Sequence, residues 1–253
     1  MNLATEQSTS ADTIWRSDSP KRPLLSVIVP LGPAESGLGR LAADLLLLPQ
    51  GSEILLVCCA QSASLQQQFQ LPPALSRHPN LRWLQAETGR AQQLNAGARA
   101  AQGENLWFVH VDSGFCPWVV AQLKDAIQQR PDALHFFRLA FGRDGTGPMT
   151  LNARGANLRS GWLGVPFGDQ GFCLSAPLFR RLGGYNEQAP YGEDHLLLWQ
   201  ARRAGVALDF CSAVITTSAR KYGHRGWGAL TLRYQWLWLK QALPQAWALL
   251  LGR

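Results

Sequence analysis

The sequence predicts an α/β fold in which a mainly parallel sheet is covered by helices on both faces. Two observations carry this reading. Short all-apolar runs such as LLSVIVP and EILLVCCA suit strands buried on both sides. Between them lie stretches with apolar residues at helical spacing, so strand and helix alternate along the chain. Composition permits a large core: 46% of the 253 residues are hydrophobic and only 16% are charged, against about 25% charged in ordinary soluble domains. Disordered, collagen-like and charge-laced coiled-coil classes are excluded.

Residues 1–22 are polar and Ser/Thr-rich and are expected to form a flexible leader. The first strand is Leu24–Pro30, closed by proline; Leu38–Leu48 follows as a helix. Glu53–Ala60 is the second strand and Leu81–Ala86 the third. Gly89–Gln102 is helical, with small residues on one side for close packing. Glu104–Ser113 is a fourth strand, and Cys116–Gln129 starts a helix with Pro117 in its first turn. Phe141–Arg159, rich in Gly, Arg and Asn, is expected to be a loop. The main domain spans 23–222 and a helical tail 223–253. In parallel sheets ligands collect at the carboxyl ends of strands where the strand order reverses. That places chemistry at Pro30–Glu35, Cys58–Ser62, Glu87–Arg90 and His110–Ser113.

The net charge of +7 is uneven. Residues 201–253 carry eight Lys/Arg against Asp209 alone, so the first 200 balance. Such a tail faces nucleic acid, anionic lipid or a phosphorylated ligand. Trp227, Trp236, Trp238 and Trp247 favour a membrane interface and argue against nucleic acid. The five cysteines are odd in number and form no CxxC pair. With no signal-like apolar segment at the start and no apolar run near ~20 residues, a cytoplasmic location is expected, at the inner face of the membrane if the tail binds lipid.

Four segments, in order, carry a resemblance: GRAQQLNAGARAAQGENLWFVHVDS, RGANLRSGWLGVPFGDQGFCLS, LFRRLGGYNEQAPYGEDHLLLWQARRAG and ITTSARKY. Together they resemble glycosyltransferase family 2, closest to the bacterial selenodomain-associated transferase 2 branch, from about Leu25 to Lys240. The resemblance implies a GT-A fold, a nucleotide-sugar donor, a divalent metal (Mn²⁺ or Mg²⁺) and inverting transfer of a sugar to an acceptor hydroxyl. The rival reading is a catalytically silent GT-A domain that binds a nucleotide, glycan or partner.

His110-Val111-Asp112-Ser113 stands where the family carries Asp-x-Asp. Residues two apart on a strand face the same way, so His110 and Asp112 are candidate metal or diphosphate contacts. The same residues also read as a strand end closed by turn formers. Glu193-Asp194 resembles the family's Glu-Asp motif, which makes Asp194 the general base with Glu193 beside it. Carboxylates in a first helical turn are also stabilised by the helix dipole without any catalysis. Gly168-Asp169-Gln170 resembles a motif beside the acceptor and sugar; in isolation it is an ordinary turn. Arg90 matches a diphosphate partner, and Asn95 a residue that holds the loop or the ribose. Arg220 and Lys221 resemble a late basic motif that neutralises the leaving diphosphate. His224 is a further candidate ligand.

The sequence departs from the family on the nucleotide-base side. After Pro30 the usual Asn-Glu is reduced to a displaced Glu35, and Cys58-Cys59 stand where a base-reading Asp is usual. A thiol is a poor acceptor for a base N–H, which implies altered base recognition. In the tail, Leu232, Trp236, Leu239, Leu243 and Trp247 share one helical face; Arg233, Lys240 and Gln241 lie on another, and Pro244 kinks or ends the helix. That pattern suits peripheral membrane contact with a lipid-linked acceptor, and equally a helix packed on the domain or in a homodimer.

Overall fold

A computed structural model describes residues 23–33, 37–62 and 71–251, without the side chains of 223–225 and 250. The leader and Glu35 lie outside the described residues, as does the side chain of His224. Eight strands form one sheet in the order β3-β2-β1-β4-β7-β6-β8-β5. They are β1 (Leu25–Leu31), β2 (Glu53–Cys59), β3 (Leu81–Ala86), β4 (Asn105–Phe108), β5 (Ser113–Gly114), β6 (Leu134–Phe141), β7 (Cys173–Ser175) and β8 (Leu208–Thr217). β1 to β4 are mutually parallel, β7 is antiparallel to both β4 and β6, β8 is parallel to β6, and β5 closes the edge antiparallel to β8. The short antiparallel β7 splices two parallel halves together.

The helices are α1 (Leu38–Leu45), α2 (Pro73–Ser76), α3 (Arg90–Ala100), α4 (Pro117–Gln129), α5 (Met149–Leu163), α6 (Ala176–Arg181), α7 (Glu193–Arg203), α8 (Arg220–Arg225) and α9 (Trp227–Leu250). Strand alternation divides the core between two faces. Val27 and Val29 of β1 pack with α1 and α4 on one side, while Ile28 packs with α3, α6 and α7 on the other. All seven residues of both β1 and β2 are buried, which is why these strands read as continuous apolar runs.

Three expectations are corrected. Phe141–Arg159 is not a loop throughout: β6 runs to Phe141 and α5 occupies 149–163. β4 ends at Phe108, so His110–Ser113 is a turn, closed by the Ser113 N–H donating to the His110 carbonyl at 3.0 Å. Pro244 lies inside α9 and does not end it. α9 packs Ala242, with Trp238, Ala246 and Leu249, onto Leu198 and Trp199 of α7.

At the amino ends of the strands, Glu53 is almost wholly buried (2% exposed) and heavily bonded. It accepts from Ser26 Oγ (2.6 Å), the Gln102 N–H (2.8 Å) and Arg82 (2.7 Å), clasping β1, β2, β3 and the chain after α3. Removing one partner of such a cluster leaves the others unpaired. Glu53→Ala is therefore expected to lower the free energy of unfolding by about 2–3 kcal/mol in urea titration, with an unchanged denaturant slope.

Candidate active site

The chain runs β1–β2–β3 toward one edge, then crosses to the other side of β1 to form β4. The strand order thus reverses between β1 and β4, and a crevice opens at their carboxyl ends. A cavity of about 440 Å³ occupies this place, within the roughly 300–1,000 Å³ typical of small-molecule sites. One wall is Pro30 of β1, Gly32 and Pro33 after it, Cys59 of β2, and Gly89, Arg90 and Gln93 at the start of α3. His110 and Asp112 follow from the turn after β4. The opposite wall is Arg159 of α5, Phe167, Asp169, Asp194, Lys221, and Tyr234 and Gln235 of α9.

The second wall is set by a turn at 168–170. Gln170 is fully buried, and its amide is spent on the protein. Its Nε2 donates to the Phe137 carbonyl at 2.7 Å, and its Oε1 takes the Phe167 N–H at 3.2 Å and faces the Ser160 hydroxyl at 2.7 Å. This locks the turn to β6 and α5. Gly168 then directs its N–H at Asp194 Oδ2, while Asp194 Oδ1 accepts the His195 N–H at 2.8 Å. A Cβ on Gly168 would lie 2.8 Å from Asp194 Oδ2, so the approach requires glycine. Asp194 sits in the first turn of α7, where the helix dipole favours its negative charge.

Three buried side-chain atoms lack a hydrogen-bond partner among the described residues, Asp169 Oδ1, Gln200 Oε1 and Trp238 Nε1, and of these Asp169 is the one that lines the cavity. Burial pushes its carboxyl above the ordinary 3.8; Lys221 and Arg159 pull it back, and Asp194 and Asp112 add to the rise. Burial also brings the Arg159 guanidinium down to about 10, so it stays cationic at neutral pH. It stacks 3.7 Å over the Phe167 ring and donates to the Val165 carbonyl at 2.9 Å. Lys221 stands 5.1 Å from the Tyr234 ring. Asp144 fixes the chain that carries Lys221, accepting from the Ser218 hydroxyl (2.7 Å) and the Ala219 N–H (2.8 Å). Burial, with Arg90 and Lys221 nearby, holds the His110 imidazole well below its usual range and hence neutral.

The structure thus gathers Pro30, Arg90, His110, Asp112, Asp169, Asp194 and Lys221 around one cavity. It gives other work to the remaining residues singled out in the sequence. Gln170 is an internal strut, unavailable to a sugar, because β6 and α5 use up its amide. Gly168 serves through its N–H to Asp194. Asn95 holds the loop rather than a ribose: its Nδ2 donates to the Tyr185 carbonyl and to Glu187, and its Oδ1 accepts the Tyr185 N–H. Glu193 is buried and paired with Arg90 at 3.6 Å, joining α7 to α3; burial first, then Asp194, raises its carboxyl. Arg220 bonds the Ser218 hydroxyl at 3.1 Å and lies outside the cavity lining. Arg159, Phe167 and Tyr234 line the site without having been singled out.

Among the described residues one trio of ligand-type side chains converges closely: His135, Asp209 and Cys211. It lies near the amino ends of β6 and β8, away from the cavity, and Asp209 there already meets His135 Nδ1 (2.9 Å) and Arg130 (3.1 Å). In the cavity, Asp112 offers a carboxylate and His110 a neutral ring. These two would leave a divalent cation to take its other ligands from phosphate and water.

No protein-family model matches the sequence, and comparison with curated proteins finds no match. Solved structures do match. The chain superposes on S. aureus TarS 1–349 with a TM-score of 0.61 at 18% identity, covering 77% of this chain and 60% of that one. The TarS 1–349 complex with UDP-GlcNAc gives 0.61 and 18%, covering 77% and 58%. The mannosyltransferase PcManGT from Pyrobaculum calidifontis, in complex with GDP-Man and Mn²⁺, gives 0.59 at 20%, covering 82% and 60%. The chain spans about three fifths of the length of these neighbours. The likeness is one of fold: an α/β GT-A fold with a C-terminal helix.

The orphaned Asp169 carboxylate opposes stability when ionised. Asp169→Asn is expected to melt above the wild type at neutral pH. The gain shrinks as pH falls through the raised native pKa and vanishes below the unfolded value near 3.8, where both states of the wild type are neutral. Melting curves from pH 3 to 8 check this.

Proposed function

We propose that the chain is an inverting glycosyltransferase that uses a nucleotide-sugar donor. The observation that carries this is the cavity, with carboxylates and cations brought together from six separate segments at the strand switch point. That TarS is seen with UDP-GlcNAc, and PcManGT with GDP-Man and Mn²⁺, supports the donor class. The donor diphosphate lies between the first turn of α3 and Asp112. The α3 N–H groups face anions, and no acidic residue occupies that first turn. Arg90 and Lys221 neutralise charge that develops on the leaving diphosphate.

Asp194 is the general base. Two backbone N–H groups orient its carboxylate and leave lone pairs for the acceptor. The acceptor O–H gives its proton to Asp194 as its oxygen bonds the anomeric carbon, and the bond from that carbon to the diphosphate breaks. One displacement inverts the anomeric centre. Asp169 and Arg159 hold sugar or acceptor hydroxyls, and the unpaired Asp169 oxygen is the acceptor atom that a hydroxyl satisfies. A divalent cation held by Asp112 and His110 would supply charge neutralisation at the diphosphate.

Base recognition is altered. The Cys59 thiol is within 3.3 Å of the Ser62 hydroxyl and Cys58 is buried in the core, so β2 offers no carboxylate to a base. Cys59, Thr88 and the Gly32–Pro33 backbone form the nucleoside end instead.

Asp194→Asn tests the assignment. Transfer from the donor is expected to fall about 10²- to 10⁴-fold, while the affinity for the nucleoside diphosphate stays within a factor of two or so. Undiminished transfer by Asp194→Asn would remove it from the chemistry. Unchanged binding without transfer in the wild type favours the silent binding domain.

A further inference from the structure

We infer that α5 and α9 together form a docking surface for an anionic lipid bilayer, and that the acceptor comes to the cavity from that bilayer. The part about the acceptor rests on the transferase reading; the docking itself does not. The two helices are neighbours. Asn152 of α5 donates to the Thr231 hydroxyl at 3.1 Å and accepts from Trp227 Nε1 at 3.0 Å, and Met149 packs with Leu230.

Each helix has one face in the cavity and another in solvent. Asn152, Ala156 and Arg159 of α5 and Thr231, Tyr234 and Gln235 of α9 line the cavity wall. On other faces stand Leu158 and Trp162 of α5, and Leu232, Trp236, Leu243 and Trp247 of α9. Trp162 is 87% exposed, Trp236 67% and Trp247 66%. Isolated exposed hydrophobes are ordinary; two tryptophan-bearing stripes on adjoining helices are not. Most of α5, Leu158 included, lies in the segment 141–159 whose composition reads as loop, so the tail shows only half of the surface in the sequence.

Charge identifies the occupant. Neither 149–163 nor 227–250 contains a single Asp or Glu, whereas Arg154, Arg233 and Lys240 are exposed there. A protein partner of ordinary mixed charge gives no reason for such one-sidedness, while anionic headgroups do. Indole rings settle at headgroup level, and leucines enter the acyl boundary. No helix among the described residues is long and apolar enough to cross a membrane, so the contact is with the surface. The helices that meet the bilayer are then the same ones that wall the acceptor side of the cavity. A lipid-linked hydroxyl or phosphate reaches Asp194 without leaving the interface.

The full chain is sedimented with phosphatidylcholine vesicles, with and without phosphatidylglycerol. Binding is expected to the anionic vesicles and to weaken with salt. Arg233→Gln with Lys240→Gln should reduce the partition coefficient about tenfold or more. Trp162→Glu with Trp236→Glu should abolish binding while leaving circular dichroism and melting unchanged, since both rings lie in solvent. Asp194→Asn should bind vesicles like the wild type. Absence of binding to anionic vesicles overturns the proposal, as does binding untouched by the tryptophan pair. So does a solution dimer that Trp236→Glu dissociates, because the face would then belong to a second copy. Transfer to a soluble acceptor without vesicle binding would sink the docking alone and leave the transferase intact.

Discussion

The site depends on one buried amide. Gln170 has no access to water, so every polar atom of its side chain must find a partner inside the protein. The Phe137 carbonyl on β6, the Ser160 hydroxyl on α5 and the Phe167 N–H supply them. That requirement fixes where the 168–170 turn sits, and the rest follows. Gly168 directs its N–H at Asp194, Asp169 is held in the cavity, and α5 is drawn against the sheet so that Arg159 joins them. A residue outside the cavity lining thereby sets the positions of three that line it, Asp169, Asp194 and Arg159.

The cavity concentrates charge at a cost to the fold. Burial first, with Asp194 and Asp112 adding to it, raises the proton affinity of Asp169, and Lys221 and Arg159 offset this without filling the last acceptor site on its carboxylate. Unsatisfied buried polar atoms are rare in native proteins, and this one faces a cavity in which a ligand can complete it. The opposite end of the sheet shows the contrast. There Glu53 accepts hydrogen bonds from Ser26, Gln102 and Arg82. The Glu53 carboxylate on β2 and the Asp169 carboxylate in the 168–170 turn thus differ in whether the protein finishes their hydrogen bonding.

The first half of the sheet was legible because parallel strands buried on both faces leave an unmistakable apolar run, as β1 and β2 do, whereas β6, β7 and β8 went unread. Its switch point was legible too, since strand ends and helix starts can be counted along the chain. Burial of individual polar residues was not legible. Gln170 and Asn95 carry the residue types of ligand contacts, and only their distant partners on β6, α5 and the Tyr185–Glu187 loop reveal them as struts. α5 was hidden because its pattern is inverted: Leu158 and Trp162 face water while Ala156, Arg159 and Ser160 face inward. Periodicity reads such a segment as formless, and Arg159 was hidden with it. Pro244 failed to end α9 because it lies on an exposed side of the helix, where a lost backbone hydrogen bond is made good by water.

The central claim is that the crevice between β1 and β4 holds a nucleoside diphosphate. The most direct measurement is the melting temperature of the full chain with UDP or GDP, each with and without Mn²⁺. A ligand at a hundred times its dissociation constant adds about 2.7 kcal/mol, or roughly 5–10 °C for a domain of this size. A shift of that order with one of the two, enhanced by Mn²⁺ and lost in Asp112→Asn, is the expected result. No shift with either nucleotide, at any metal concentration, would contradict the claim.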